Sequence, residues 1–275
     1  MKTNVGMIGL GKMGLPMSRH LVSRGFEVAG YDIDAQRVAM ARDVGVTACT
    51  SARAVAERSD IIIIVVGFDA EVLSSLAGED GIYAGLRPGG VIAVSSTVLP
   101  ETMREIAHDA EALGRGYGVI DIPTCRSDRA AEEGTLLVLG GGSSDVFESC
   151  RHVFSSFATD IDHLGPIGAG QVGKIVNNLL LWACISANYE GLKLGAALGV
   201  EPEVLRQALL KSSGRNWALE TWLEPRPMPW AEKDMTIVAH EADVARVSVP
   251  LCGVVKEVIK GIKIERGLPT PAARI

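Results

Sequence analysis

The stretch NVGMIGLGKMG, from Asn4 to Gly14, decides the fold of the first half of the chain. Its apolar beginning is typical of a buried strand, and the residues that follow have the pattern of a helix ending at Gly25. Between the two, Gly9 and Gly11 complete with Gly14 the G-x-G-x-x-G spacing of a dinucleotide-binding turn. Because the motif follows a predicted strand and opens a predicted helix, it has the context that this interpretation requires.

Each glycine of this motif has its own physical role. Gly9 permits the tight turn, Gly11 lets the backbone approach a pyrophosphate, and Gly14 lets helix and strand pack closely. The helix N-terminus adds free N–H groups and a partial positive charge. A glycine-rich turn without a ligand is the alternative. The predicted cofactor-binding residues here are Gly9, Leu10, Gly11, Lys12, Met13 and Gly14.

Asp32 ends the second predicted strand, FEVAGYD, 18 residues after Gly14. A carboxylate at this place accepts hydrogen bonds from the adenosine ribose and repels a 2′-phosphate. The sequence therefore favours NAD over NADP as the cofactor. Arg37 follows in the next predicted helix, where we expect a solvated side chain.

Strands and helices alternate through the first half of the chain. Further strand-like runs are DIIIIVV, GGVIAVSS, GYGVIDI, TLLVLGGG and DIDHL. This alternation predicts a Rossmann-type, doubly wound parallel sheet of the α/β class. After the glycine-rich stretch at 165–170 the pattern becomes helical, which predicts an all-helical C-terminal domain. We place a dinucleotide-binding domain at residues 1–164 and a helical substrate and oligomerisation domain at 165–275.

Composition excludes several classes of protein. The chain of 275 residues has a net charge of -6 and no long basic run, which argues against nucleic acid as a partner. The longest purely apolar run, Ile61–Val66, is far too short to span a membrane. The five cysteines are scattered without metal-type spacing, so we expect reduced thiols and no metal site. These features predict a soluble cytoplasmic protein.

The segment GAGQVGKIVNN places one lysine near the start of an otherwise apolar helix. Asn177 and Asn178 follow Lys174 at i+3 and i+4, so the three side chains share one face. A lysine held there by an asparagine beside a cofactor could exchange a proton with a substrate oxygen. The alternative from this segment alone is a solvated lysine with two asparagines at a helix–helix contact.

The segment DIPTCRSDRAAEEGTL, from Asp121 to Leu136, breaks a predicted strand at a proline. It then presents Cys125, Arg126 and Ser127 in a row, and all three are candidate substrate-binding residues. Arg126 is either an anion clamp with five N–H donors or an ordinary side chain that is solvated or paired with Asp128. A thiol is a weak hydrogen-bond donor, which argues against a substrate contact at Cys125 itself, and we assign no nucleophilic chemistry to it.

Taken together, four motifs and a fifth segment resemble the β-hydroxyacid dehydrogenase family over nearly the whole chain. They are the cofactor loop GLGKMGLPM, the segment SST at 95–97, the substrate loop DIPTCRSDRAAEEGTL, the helix GAGQVGKIVNN and the motif KDM at 233–235. The resemblance implies hydride transfer between a nicotinamide and the carbonyl carbon of a small acidic substrate. It implies that Lys174 is the acid–base group and that Asn178, with Asn177 less certainly, holds lysine and substrate.

The resemblance also implies roles outside these two segments. Thr97 would pass the nicotinamide, and Lys233 would line the cofactor side of a cleft between the domains, with Asp234 as its anchor. The long inter-domain helix of the family usually packs against another subunit, so the resemblance implies a homodimer or homotetramer.

At the substrate loop the chain departs from the family, which usually has Ser-Gly-Gly at the place of Cys125, Arg126 and Ser127. One branch, resembling sulfolactaldehyde reductase, has an arginine there that binds a sulfonate. Asn177 aligns with a second sulfonate contact of that branch, whereas Leu181 replaces a third, polar one. The resemblance to that branch is therefore partial, and a carboxylate, a sulfonate or a phosphonate would each suit the arginine.

The leading hypothesis is an NAD-dependent oxidoreductase that interconverts a small 3-hydroxy acid and its semialdehyde. A reductase of sulfonated or phosphonated aldehydes is the alternative. An imine reductase of the same fold typically lacks the lysine, so Lys174 argues against it. An NAD-binding regulatory protein without turnover is the hypothesis from another class.

Overall fold

The computed structural model describes residues 3–224 and 228–270, and the chain divides into two compact units, Met1–Lys174 and Ile175–Ile275. The strands are β1 Asn4–Ile8, β2 Glu27–Tyr31, β3 Thr47–Ala48, β4 Ile61–Ile64, β5 Val91–Val94, β6 Gly118–Asp121, β7 Thr124–Cys125, β8 Leu136–Gly142 and β9 Ala158–Gly165. The helices of the first unit are α1 Gly14–Ser23, α2 Ala35–Asp43, α3 Ala52–Ala56, α4 Asp69–Leu76, α5 Ile82–Gly85, α6 Pro100–Ala112, α7 Ser127–Glu133 and α8 Ser144–Phe154. Helix α9, Ala169–Ala197, runs from the first unit into the second.

The sheet of the first unit has the strand order β3-β2-β1-β4-β5-β6-β8-β7, with β9 paired to β8. From β3 to β6 all pairings are parallel. This part has the strand order of the doubly wound dinucleotide-binding fold. The predicted fold class is confirmed for these strands, and the carboxyl ends of β1, β2, β4, β5 and β6 lie at one edge of the sheet.

Two apolar clusters cover the two faces of this sheet. Alternate residues of β4 divide between them, because Ile61 and Ile63 belong to one cluster and Ile62 and Ile64 to the other. All four isoleucines are buried, as expected for a central strand with helices on both faces. The continuous apolar run that predicted a buried strand therefore marks the centre of the fold.

The far side of the sheet differs from the predicted parallel arrangement. Strand β8 runs antiparallel to β6 and β7, whereas β9 is parallel to β8. Residues 122–135, between β6 and β8, form strand β7 and helix α7, and the chain then returns so that β8 pairs with both β7 and β6. This return places the start of α7 and the strand pair β7–β8 beside the end of β6.

The second unit is helical. After α9 its helices are α10 Pro202–Leu209, α11 Trp217–Glu220, α12 Ala231–Ala245 and α13 Pro250–Glu265. Helices α12 and α13 are joined by a buried ion pair, in which Lys263 Nζ lies 2.9 Å from Glu232 Oε2. No helix within the described ranges is long and apolar enough to cross a bilayer. The predicted domain boundary at 164/165 remains a prediction.

Candidate active site

The glycines of the cofactor loop are required by the backbone around them. Gly9 has a φ of 94°, and a Cβ atom added to it would overlap the carbonyl oxygen of Val65. A Cβ on Gly14 would overlap the carbonyl oxygen of Gly9. A Cβ on Gly11 would meet no atom closer than Arg37 Nη1, at 3.7 Å. The space before Gly11 is thus open to a ligand, as a close approach of pyrophosphate requires.

Asp32 fixes this loop through its carboxylate. Oδ2 accepts a hydrogen bond from the Leu10 N–H at 2.7 Å, and Oδ1 accepts one from the Asp34 N–H at 2.9 Å. Arg37 is not simply solvated, because its guanidinium lies 3.5 Å from carboxylate oxygens of both Asp32 and Asp34. The residues present fit a dinucleotide: a buried carboxylate stands beside an open, glycine-lined turn. Lys12 is exposed and Met13 half-buried at the start of α1.

The segment after β5 carries two buried serines. Ser96 Oγ accepts a hydrogen bond from the Val66 N–H at 2.8 Å, which ties this segment to the end of β4. Ser95 Oγ is buried, and no hydrogen-bond partner for it lies among residues 3–224 and 228–270. Thr97, the predicted neighbour of the nicotinamide, follows as a half-buried residue at the same edge of the sheet.

At the end of β6 stands a carboxylate that the sequence reasoning did not single out. Asp121 is fully buried, and it accepts hydrogen bonds from the Gly168 N–H at 2.7 Å and the Gln171 N–H at 2.9 Å. These groups belong to the first turn of α9 and the residue before it, whose N–H groups have no partner within the helix. Burial raises the pKa of Asp121, and the hydrogen bonds from the start of the helix oppose that rise.

Lys174 lies one turn into α9 and is oriented by the backbone of the substrate loop. Its Nζ donates a hydrogen bond to the Thr124 carbonyl oxygen at 2.7 Å. An ammonium group has three N–H donors, so this bond leaves two for other acceptors. The lysine therefore contacts the substrate loop at Thr124, the residue before Cys125, and the sequence did not reveal this contact.

Cys125 is buried beside two cationic groups. Burial raises the pKa of its thiol, and the nearby charges of Lys174 and Arg126 act in the opposite direction. Burial is the largest of these effects, so the net direction favours the neutral thiol over the thiolate.

Arg126 and Ser127 adopt backbone conformations that usually require glycine. Their φ angles are 84° and 70°, a region in which a side chain costs about 1–2 kcal/mol per residue. Arg126 Nη1 donates to the Thr135 carbonyl oxygen at 3.1 Å, to Thr159 Oγ1 at 3.0 Å and to Asp160 Oδ2 at 2.6 Å. The hydrogen bond from Arg126 holds the pKa of Asp160 below its usual value. The arginine is thus neither wholly solvated nor paired with Asp128, but bound to the β9 strand.

The second unit carries the remaining predicted site residues. Asn178 is buried, and its Oδ1 accepts a hydrogen bond from Asn177 Nδ2 at 3.1 Å. Lys233 Nζ lies 5.7 Å from the centroid of the Trp230 ring, within the range of a cation–π contact. Asp234 Oδ2 accepts a hydrogen bond from the Trp182 indole at 3.0 Å, which fixes the first turn of α12 on α9.

The contacts that sequence reasoning missed share one property: each depends on tertiary structure. Asp121 and Thr124 stand within the quoted substrate loop, and Gln171 stands three residues before Lys174. A buried polar residue needs partners, so a glutamine in the apolar start of α9 was the available signal. Its partners, Ser96 and Val98, lie more than 70 residues earlier in the chain and have no local signature.

Comparison with known proteins shows the family. Residues 4–165 match the NAD-binding domain of 6-phosphogluconate dehydrogenase, and residues 168–268 match the family described as NAD-binding of NADP-dependent 3-hydroxyisobutyrate dehydrogenase. The 2-(hydroxymethyl)glutarate dehydrogenase of Eubacterium barkeri is 33% identical, and the match covers 94% of this chain and 88% of that protein. The 3-hydroxyisobutyrate dehydrogenase of Pseudomonas aeruginosa is 32% identical over 90% of this chain and 88% of its own length.

A solved structure agrees with these matches. The 3-hydroxyisobutyrate dehydrogenase of Mycobacterium tuberculosis, described with L-serine, superposes with a TM-score of 0.85 at 27% identity. The superposition covers 96% of this chain and 95% of that one. These relatives are named dehydrogenases of hydroxy acids, which supports an enzyme over an NAD-binding regulatory protein. The chain belongs to the β-hydroxyacid dehydrogenase family and is a dehydrogenase with an NAD-type cofactor that acts on a CH–OH group.

Proposed function

We propose that the protein interconverts a small 3-hydroxy acid and its semialdehyde, with Lys174 as the general acid–base group and NAD as the preferred cofactor. The observation that carries the proposal is the hydrogen bond of 2.7 Å from Lys174 Nζ to the Thr124 carbonyl oxygen. It fixes a proton donor at the start of the substrate loop, at the sheet edge that also carries Thr97.

The proposed reduction needs one proton at a defined atom. When bound, the nicotinamide supplies a hydride to the carbonyl carbon of the substrate. Lys174 donates a proton from Nζ to the carbonyl oxygen, so that the C=O bond becomes a CH–OH group, and the resulting neutral amine regains a proton from solvent. In the oxidation Lys174 accepts the hydroxyl proton instead. Asn178, four residues on along α9, is proposed to hold lysine and substrate together.

The preference for NAD rests on Asp32. Its buried carboxylate stands at the end of β2, where it would accept hydrogen bonds from ribose hydroxyls and repel a 2′-phosphate. Arg37 lies beside it but is paired with the carboxylates of Asp32 and Asp34. These two negative charges weaken the attraction of Arg37 for a 2′-phosphate. We propose that Thr97 and Lys233 also contact the bound cofactor.

The compounds that appear in the names and descriptions of the relatives support a 3-hydroxy acid. Serine, 3-hydroxyisobutyrate and 2-(hydroxymethyl)glutarate each carry a primary hydroxyl on the carbon next to the one that bears a carboxylate. The proposed site offers this pattern a proton acceptor at Lys174 and the guanidinium of Arg126 for the carboxylate. The chain length and branching of the substrate set its identity within this class.

The test is NADH oxidation, with NADPH in parallel, against matched aldehydes that carry a carboxylate, a sulfonate or a phosphonate. We expect turnover with the carboxylate and a higher kcat/KM with NADH than with NADPH. No turnover with any of the three aldehydes, at NADH concentrations that saturate binding, would overturn the proposed function.

A reductase of sulfonated or phosphonated aldehydes is the second candidate, and one observation favours it. The three hydrogen bonds of Arg126, one of which is also its ion pair with Asp160, all use Nη1, and its side chain is 39% exposed. A guanidinium has further donors on Nε and Nη2, which suit the oxygens of a tetrahedral anion. The positive charges of Lys174 and Arg126 both act to lower the pKa of the Cys125 thiol, so the two cationic groups lie near the same residue.

Replacing Arg126 by alanine is expected to raise KM for the acidic aldehyde, by about 30-fold or more if the charge pair with substrate is desolvated. The kcat value should change less, because the arginine holds the substrate and does not transfer a proton. Asp160→Asn is the control, since it removes the internal ion pair and leaves the guanidinium in place. An unchanged KM in Arg126→Ala would assign the arginine to its contacts with Thr159 and Asp160 alone.

We further propose that the protein is a homo-oligomer in which a second copy covers one face of α9. Val176, Leu180 and Leu194 are 51%, 61% and 61% exposed on this helix, and Leu198, the residue after its end, is 75% exposed. Light scattering at micromolar concentration should give a multiple of the 29.1 kDa chain mass, and Leu180→Asp with Leu194→Asp should reduce it. A monomer before substitution would contradict the proposal. We also propose the cytoplasm as the compartment of the protein, because its five cysteines are free thiols.

A further inference from the structure

We infer that Asp121 and Gln171 are positioning residues that hold Lys174 at a fixed place between the Thr97 segment and the substrate loop. This inference rests on the proposed role of Lys174 and adds two residues to it. It concerns only the first unit, because all the contacts involved lie within residues 1–174.

Asp121 holds the start of α9. Its carboxylate is fully buried, and a buried charge requires several hydrogen bonds to be tolerated. The Gly168 and Gln171 N–H groups supply two of them, at 2.7 and 2.9 Å. Cβ atoms added to Gly141 or Gly170 would overlap this carboxylate, so the side chain has no room to move. The end of β6 and the first turn of α9 are therefore locked together.

Gln171 connects the first turn of α9 to the segment that follows β5. Its Nε2 donates to the Ser96 carbonyl oxygen at 2.9 Å, and its Oε1 accepts from the Val98 N–H at 3.2 Å. The two contacts lie on either side of Thr97, and Gln171 is fully buried. Gln171 thus holds the residues on both sides of Thr97, in the segment predicted to lie beside the nicotinamide.

These contacts converge on the lysine. Lys174 follows Gln171 by three residues, and Thr124, which accepts its hydrogen bond, follows Asp121 by three residues. The β6 end and α9 are thus tied twice, at Asp121 and at Lys174. A shift of the first turn of α9 would move Nζ relative to both Thr97 and the substrate loop. Misplacement of a reacting group by about 1 Å can cost about 100-fold in rate. The hydrogen bonds of Asp121 and Gln171, here called the frame, would therefore affect the rate by fixing the position of Lys174.

The test is a double-mutant cycle on kcat with the substrate that the aldehyde panel identifies. Asp121→Asn and Gln171→Met are each made in the natural chain and in Lys174→Ala. We expect each to lower kcat about 30- to 100-fold when Lys174 is present, and less than about threefold when it is absent. NADH affinity should change by less than about threefold in both. Asp145→Asn, an exposed carboxylate in the first turn of α8, and Gln207→Met are matched controls.

Each outcome of the cycle has one meaning. Equal losses of kcat with and without Lys174 would overturn the inference, because the two residues would then act on the fold and not on the lysine. No loss in the natural chain would also overturn it. Thermal unfolding followed by circular dichroism reports whether Asp121→Asn folds, and Gln171→Met keeps the test open if it does not. If Lys174→Ala alone retains its kcat, the proposed role of Lys174 fails, and this single variant distinguishes that failure from failure of the frame.

Discussion

Replacing Lys174 by alanine is expected to lower kcat by about 10²- to 10⁴-fold, the usual contribution of a general acid or base. The affinity for NADH should stay within about threefold, because the residues proposed to hold the nucleotide end of the cofactor lie on the Gly9–Gly14 loop and at Asp32. Steady-state kinetics gives kcat, and the fluorescence of bound NADH gives the dissociation constant.

The matched control for this variant is Lys193→Ala. Lys193 lies on the same helix, but it is exposed and pairs with Glu265 at 3.2 Å. It should leave kcat within about twofold, since exposed ion pairs contribute little and this one is remote in sequence from the predicted site. Turnover by Lys174→Ala within a few-fold of the natural chain would remove Lys174 from the proposed chemistry.

Replacing Gly11 by alanine is expected to weaken NADH binding by about tenfold or more, a loss of about 1.4 kcal/mol. The new methyl group would occupy the space through which the backbone approaches the pyrophosphate. Because its nearest neighbour would be Arg37 Nη1 at 3.7 Å, the folded protein should keep its thermal stability. Titration with NADH and a thermal unfolding curve measure the two quantities.

Gly14→Ala is the contrasting variant. Its methyl group would overlap the Gly9 carbonyl oxygen, so it should lower the unfolding temperature as well as the affinity for NADH. If Gly11→Ala bound NADH as tightly as the natural chain, the glycine loop would not be the pyrophosphate site.

The structural features that are predicted correctly from the sequence depend on short-range patterns. The G-x-G-x-x-G spacing placed Gly9 and Gly14 at a turn that excludes a Cβ atom at both positions. The run Ile61–Val66 predicted a central strand, and its isoleucines are buried on both faces of the sheet. In these cases the residues that decide the structure are neighbours in the chain, so the pattern is visible in the sequence.

The parts that sequence reasoning missed depend on distant partners. The antiparallel β8 strand follows from how the chain returns after β7, which the apolar run TLLVLGGG does not encode by itself. The carboxylate that pairs with Arg126 is Asp160, on β9, and not Asp128, two residues further along the chain. Gln171 meets Ser96 and Val98 only once the sheet has formed. No local spacing reports any of these contacts.

The most direct test of the central claim is a single-turnover measurement of hydride transfer, in which NADH oxidation is followed by stopped flow with enzyme in excess. Product release can limit kcat, whereas a single turnover reports the chemical step. With NADH deuterated at the transferred position of C4, the natural chain should show a primary isotope effect, and Lys174→Ala should be slower by about 100-fold or more. A single-turnover rate that is the same in Lys174→Ala and in the natural chain would contradict the assignment of Lys174 as the proton donor.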